Sequence, residues 1–486
     1  MIDFTNIEKY KENNRIEAKK AIGGLPRSIW ETYSAFANTL GGIILLGVEE
    51  RGDKSLHPVS LPDPEMLIED FWSMLRQTNK VSVNILSHKD VTVETIDGKE
   101  IVAIRVPRAQ RSDKPVYIDG DPLMGSYRRN GEGDYKCTKE EVQAMMRDAA
   151  IKTQDMVVLD GMGLDALDYD SVRRYRAHVK ACRPGYVWEE LEEVEFLYKL
   201  GAVGRARDGE MRPTAAGLLM FGYEHEIVKE FPSYFLDYQE TFDPDTQAAD
   251  RVVSSSGDWS GNLYDFYFRV CNKITRGIPV PSRLAGGEGM EDTPIHKALR
   301  EALANCLINA DYYGRQGIVI VKGKNEITLS NPGGFRVDVE AAKNGGVSDP
   351  RNGTLVKMFH WIDIGKGTGS GIPNIFSVWK KQGWAAPVIA ERFEPDRITM
   401  SLSFERKGEP KQATAVEDTK KMTPNVAYRE AIVVYLTEAV CANCAELSAL
   451  IGISSARTGA VLRQMVEENI LIAEGDSKNR VYRLKD

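Results

Sequence analysis

The chain is poor in cysteine: six in 486 residues, too few for a disulfide framework to hold so long a sequence. Two of them, Cys441 and Cys444, stand as a lone C-x-x-C with no second pair or histidine cluster nearby, and are read as helix residues rather than a zinc site. Long apolar runs are missing as well. The densest, Gly42-Ile43-Ile44-Leu45-Leu46-Gly47-Val48, has the length of a buried strand and falls far short of the ~20 residues that span a bilayer, so no membrane partner is expected. The start, Met1-Ile2-Asp3-Phe4, lacks the basic-then-apolar order of a secretory leader, and a cytoplasmic location is expected. Nor is there a surplus of positive charge. Lys+Arg number 63 against 71 Asp+Glu, a net −8, which argues against a polybasic surface over the whole molecule but leaves room for a local basic groove.

What is present is an ordinary globular balance, 42% apolar and 28% charged, so wholesale disorder is excluded. At roughly 150 residues per domain the length suggests about three domains. The fold class expected is α/β multidomain. Helical spacing in Arg27–Leu40 leads into an apolar strand at Ile43–Val48, and Val91–Ile96 and Glu100–Val106 read as a hairpin turning at Asp97-Gly98. These mark a head over 1–150. A less legible connecting α/β region spans 151–285, a third domain 286–405, a linker 406–425 and a compact tail 426–486. No internal repeat is found.

His296–Tyr312 reads HKALREALANCLINADY. Leu299, Ala302, Leu303, Cys306, Leu307 and Ala310 fall on one helical stripe, and Glu301, Asn305 and Asn309 on another at four-residue spacing. An amide oxygen one turn from a carboxylate can ligate Mg²⁺ while the carboxylate orients or deprotonates a water; the same face also suits plain solvation. Ile327–Gly334, ITLSNPGG, is a strand entering a turn that lets a flat ring approach the backbone. Gly365–Ile372, GKGTGSGI, is a glycine-rich loop opening a helix, the kind of loop that cradles phosphates with backbone N–H groups.

In that order the set resembles the GHKL ATPase superfamily, in the divergent branch of transcriptional-regulator type. Glu301, Ala302, Leu303, Asn305, Asp311 and Tyr312 match its first motif. Asn331-Pro332-Gly333-Gly334 match the second, Arg351-Asn352 the third and Gly369-Ser370-Gly371-Ile372 the fourth. The resemblance covers about 290–405. It implies a GHKL-type α/β sandwich binding ATP with Mg²⁺, Glu301 activating water, Asn305 ligating the metal and Asn331 near the adenine. Gly333, Gly334, Arg351, Gly367, Gly369 and Gly371 would line the nucleotide. Asn309-Ala310 departs from the branch's His-Arg, and Asn331 stands where many relatives carry Asp; an amide both donates and accepts, so an adenine contact survives the change.

The head carries Glu12 and Glu17, five apart across Asn13-Asn14, and Glu49-Glu50 after the apolar strand. Glu12 and Glu17 converge only if the chain breaks at the two Asn residues. With Glu50 they would then form a divalent-metal cluster; the other reading is ordinary surface glutamates. Ser34-Ala35-Phe36-Ala37-Asn38-Thr39, Gly41-Gly42 and Ser126-Tyr127-Arg128-Arg129-Asn130-Gly131 resemble the Schlafen-type AlbA-like domain over about 8–146. That resemblance implies an acidic RNase triad, Glu12, Glu17 and Glu50, holding Mg²⁺ or Mn²⁺, with Lys19, Lys20, Arg128 and Arg129 contacting phosphate.

In the tail, helices at Glu446–Ile451 and Ser455–Glu468 and strands at Ile470–Ala473 and Arg480–Leu484 read as a winged helix-turn-helix. Arg457 and Arg463 would face out from the recognition helix, and Lys478 and Arg480 lie on the wing. Residues 427–486 hold 7 Lys+Arg and 8 Asp+Glu, a balance that suits protein contacts as well as DNA. Three functions follow: an ATP-gated regulator binding DNA or RNA, a metal-dependent RNase under ATP control, or an ATP-sensing scaffold. Both resemblances imply a homodimer.

Overall fold

The computed structural model describes residues 4–241, 250–278, 293–365, 369–393 and 395–406, and beyond them only parts of 432–484. Two units result, Met1–Glu409 and Pro410–Asp486. Both are mixed α/β.

In the first unit the head is built on a four-stranded sheet of β1 (Ile16–Lys19), β2 (Gly42–Leu46), β3 (Val91–Ile96) and β4 (Lys99–Val106), in the order β1-β2-β4-β3. β1 runs parallel to β2 with Glu17 opposite Ile44, and the other pairs are antiparallel. The expected hairpin is present: Asp97 and Gly98 both take positive φ, 50° and 75°, as a two-residue turn of that twist requires. Every residue of helix α1 (Ile29–Asn38) except Glu31 is buried. On it, the Trp30 ring stacks on Phe71 at 5.4 Å.

Polar residues of α1 explain the SAFANT segment structurally. Asn38 Nδ2 donates to the carbonyls of Val116 (2.8 Å) and Tyr127 (3.0 Å), and its Oδ1 accepts from Val116 N–H at 2.8 Å. Ser34 Oγ donates to Val116 O and accepts from Tyr127 N–H. These two side chains do for buried backbone what a neighbouring strand would otherwise do. Helix α2 (Lys139–Ala149) closes the head. Thr138 and Glu141 form its capping box, each side chain accepting the other's backbone N–H.

The second sheet has six strands: β5 (Leu236–Thr241), β6 (Asp250–Val253), β7 (Ile318–Gly323), β8 (Glu326–Pro332), β9 (Val388–Phe393) and β10 (Asp396–Ser403), in the order β6-β5-β7-β8-β10-β9. Only β5 and β7 pair in parallel. Helices α3 (Leu263–Thr275), α4 (Pro294–Ile308) and α5 (Gly371–Gln382) pack together, and α4 lies against β8. Thr293 caps α4, and Pro294 takes the first helical position, where its missing N–H costs nothing.

This corrects the expected boundary at 286. The region 151–285 is no mere connector: it supplies β5 and β6 and shares one apolar core with residues up to Leu402. Period-two alternation in β5 is weak, with Leu236, Asp237 and Tyr238 all buried, which is why the strand's partnership is hard to read from the chain alone.

The second unit holds a three-stranded antiparallel sheet of β11 (Ala442–Asn443), β12 (Leu471–Glu474) and β13 (Val481–Leu484), ordered β11-β13-β12, with helix α6 (Cys444–Ile451). Leu447, Leu462, Met465, Leu471 and Tyr482 are its core. Thr458, Leu462, Arg463, Met465 and Val466 are helical. Cys444 opens α6, while Cys441 and most of the expected linker lie outside the described residues. No described helix is long and apolar enough to cross a membrane.

Candidate nucleotide site

Helical and strand periodicity meet at one cavity of about 150 Å³. On α4 and at its C-cap, Glu301, Asn305 and Asn309 are spaced one turn apart and all line it. On β8, Ile327, Leu329 and Asn331 bury on one face of the strand, and Leu329 and Asn331 reach the cavity. Asn331 is buried; its Nδ2 donates to Pro332 O at 3.3 Å, which leaves Oδ1 as an acceptor. Ile398 and Met400 of β10 add apolar wall.

Glycines matter at two places. A Cβ on Gly371 would collide with the Glu301 carboxylate and come within 3.0 Å of Asn305 Nδ2; the start of α5 is therefore packed directly on the two polar residues of α4. Gly333 has φ +97°, and a Cβ there would press within 2.5 Å of the Arg351 guanidinium. Gly334, Gly365, Gly369 and Gly371 line the cavity; Gly333, expected there, lies behind the turn instead, and Gly367 lies outside the described residues.

Arg351 walls the cavity, but its donors point elsewhere. Nε and one terminal nitrogen pair with Asp148 at the end of α2 (2.9 and 2.7 Å). The remaining bonds go to Asn309 O at 2.7 Å and Gly334 O at 3.0 Å. It braces the α4 C-terminus, the Pro-Gly-Gly turn and the head together, so the expectation of a direct nucleotide contact gives way to a bracing role. Burial opposes its charge, and Asp148 more than offsets that. Its neighbour Asn352 donates to the carbonyls of Ile308 and Ala310, satisfying the end of α4. Asp148 escaped the sequence reading. Its only signal was an acid near the end of a helix, where the dipole disfavours one.

In the head, the break at Asn13-Asn14 is present: Asn13 Oδ1 accepts from Arg15 N–H, and β1 starts at Ile16. Glu12, Glu17 and Glu50 are electrostatic neighbours. Burial pushes the Glu12 carboxyl above its usual range, and the Glu17 and Glu50 charges add to this against the Ala18 N–H bond and Arg129. Glu17 pairs with Lys19 and Arg129, both at 2.8 Å, and Glu50 with Lys54 at 3.5 Å. Among the described residues no group of three acidic, His or Cys side chains stands ready to hold a metal.

The phosphate contacts expected of Arg128 and Arg129 are corrected. Both are buried. Arg128 forks onto Asp396 (2.6 and 2.9 Å), and Arg129 bonds Asp134, Asn13 O and Ile16 O beside Glu17. A buried guanidinium is tolerated only with such partners, which leaves little for a ligand. Lys19 is held by Glu17, and Lys20 is exposed, paired with Glu49. In the tail Arg463 is exposed; Arg457, Lys478 and Arg480 lie outside the described residues.

Three segments of the chain match known families. Residues 12–138 match the family "Schlafen, AlbA_2", 143–237 a domain of unknown function (DUF8451), and 316–400 the family "Putative ATP-dependent DNA helicase recG C-terminal". The last match starts after α4, so Glu301 and Asn305 rest on geometry. No curated protein matches. Among solved structures, the DIP2311 protein from Corynebacterium diphtheriae is similar at 16% identity, covering 97% of this chain and 95% of that one, with a TM-score of 0.39. The N-terminal domain of a putative ATP-dependent DNA helicase RecG-related protein from Nitrosomonas europaea is 31% identical over 28% of this chain and 95% of that one, with a TM-score of 0.22. The chain therefore contains a Schlafen AlbA_2 domain and a recG-type C-terminal ATPase-like domain. The two domains point to a nucleic-acid-related, ATP-associated protein.

Proposed function

We propose that the protein is a regulator that binds nucleic acid and changes state with ATP occupancy. The observation that carries this is the convergence of Glu301, Asn305, Asn331 and the flanking glycines on one cavity. In it, Asn331 Oδ1 would accept from an adenine amino group, Asn305 would supply an oxygen ligand to Mg²⁺, and Glu301 would orient a water. Head and tail then engage DNA or RNA in a homodimer, with transcription as the regulated process. Titration calorimetry with Mg-ATP tests the reading. Binding to the wild type, weakened at least tenfold by Asn305→Ala, is expected; no heat at millimolar nucleotide would refute it.

A second reading, an RNase in the head, is favoured by one detail. Glu50 Oε1 is buried without a hydrogen-bond partner beside Glu12 and Glu17, a state a bound cation would relieve. Glu12 is the informative position, because its charge is disfavoured by the fold. Glu12→Gln is expected to keep or raise stability while abolishing any divalent-dependent RNA cleavage. Equal cleavage by variant and wild type would assign the activity to another site or a contaminant.

A further inference from the structure

The head and the six-stranded sheet enclose a second cavity, about 50 Å³, behind the Pro-Gly-Gly turn. Six cations line it: Arg108, Arg111, Lys114, Arg128, Arg336 and Arg351. Five are matched by carboxylates. Arg108 forks onto Glu391 (2.5 and 2.9 Å), Arg111 holds Asp349, and Arg128 holds Asp396 and Glu141. Arg336 lies 3.6 Å from Asp349, and Arg351 is paired to Asp148. Asp311, the remaining acid of the lining, pairs with Arg147.

Lys114 is different. Among the described residues it has no carboxylate within ion-pair distance, and its ammonium donates one bond, to the Asn38 carbonyl at 2.9 Å. That bond places it at the C-terminus of α1, where the helix dipole offsets part of its charge. Two of its three N–H donors remain over. Burial, then the charges of Arg108 and Arg128, push the ammonium down to about 7, against Glu391 and Asp396. The charge deficit is thus local and of one sign.

We propose that this cavity is a binding site for a small oxyanion of the phosphate class, gripped by Lys114 in the field of Arg108 and Arg128. Its volume admits a few waters or one tetrahedral anion, and not a nucleoside. Two sources share this chemistry: free phosphate, and the terminal phosphate of a nucleic-acid strand with its remainder outside. Because the site bridges the head and the sheet, occupancy would tie the two together. The inference does not depend on ATP binding.

The test is thermal unfolding of the full chain at pH 7 and constant ionic strength, titrated with inorganic phosphate. A saturable rise of about 1–3 °C is expected at ten times the dissociation constant. Lys114→Gln, which keeps a donor for the Asn38 carbonyl and loses the charge, should abolish the rise; Lys114→Arg should retain it. A single-stranded oligonucleotide with a 5′-phosphate, set beside its 5′-hydroxyl twin, identifies the source. A stronger shift for the phosphorylated strand, dependent on Lys114, assigns the strand end, and equal shifts assign the free anion. No rise in the wild type, or the same rise in Lys114→Gln, overturns the site. Should Lys114→Gln fail to fold, phosphorus NMR line broadening of phosphate by wild type and Lys114→Arg decides instead, and no broadening by either overturns it.

Discussion

Asp148→Ala is expected to destabilise the first unit by about 3 kcal/mol and to weaken nucleotide binding roughly tenfold, although Asp148 does not line the nucleotide cavity. Truncation leaves the buried Arg351 guanidinium without its carboxylate, which costs about 3–5 kcal/mol for a fully buried pair. The lower end applies because the Asp148 side chain is 28% exposed. An unpaired Arg351 then has reason to leave Asn309 O and Gly334 O for water. Those bonds hold two walls of the cavity, and a tenfold change in affinity corresponds to ~1.4 kcal/mol.

The pH dependence follows with a definite sign. Burial pushes the Asp148 carboxyl up, but Arg351 overrides it and the net is below the usual aspartate range. A folded value below the unfolded one contributes stability that is present above the unfolded value and lost as pH falls through the folded one. The stability gap between wild type and Asp148→Asn should therefore shrink below about pH 4. Urea unfolding at pH 7 and pH 3.5 with calorimetry at pH 7 measures both effects. An Asp148→Ala protein with unchanged stability and nucleotide affinity would show that the brace does nothing.

Asn38→Ala is expected to cost about 3–5 kcal/mol, more than any surface change in the head. The side chain is 1% exposed and serves Val116 N–H, Val116 O and Tyr127 O. Truncation orphans buried backbone groups, and each unsatisfied group costs about 1–3 kcal/mol. Ser34 still reaches Val116 O, so the three losses are not fully additive. Ser34→Ala should cost less. Denaturant midpoints of the two variants would contradict the account if Asn38→Ala proved as stable as wild type.

Much of the candidate site was legible because its signals are local. Glu301, Asn305 and Asn309 are four residues apart, and a helix puts such residues on one face whatever surrounds it. Asn331 follows Ile327 and Leu329 at a spacing of two, which a strand turns to one side. The Asp97-Gly98 hairpin is likewise decided within a few residues. Charge was less legible. Arg128 and Arg129 read as phosphate contacts because a sequence displays a cation without its partner, and their partners, Asp396 and Asp134, are 268 and 5 residues away.

By itself, then, the sequence determined, outside the less legible 151–285, many of the stretches that become helix, strand or turn, and which polar residues share a face, since those depend on dihedral preference and period. Tertiary structure alone decided three things. It joined β5 to β7 in parallel across some 80 intervening residues, paired Arg351 with Asp148 over a separation of 203, and, among the described residues, left Lys114 without a carboxylate beside five cations that have one. Each is a matter of which distant groups exclude water from one another, and the strength of a charge or hydrogen bond depends on that exclusion.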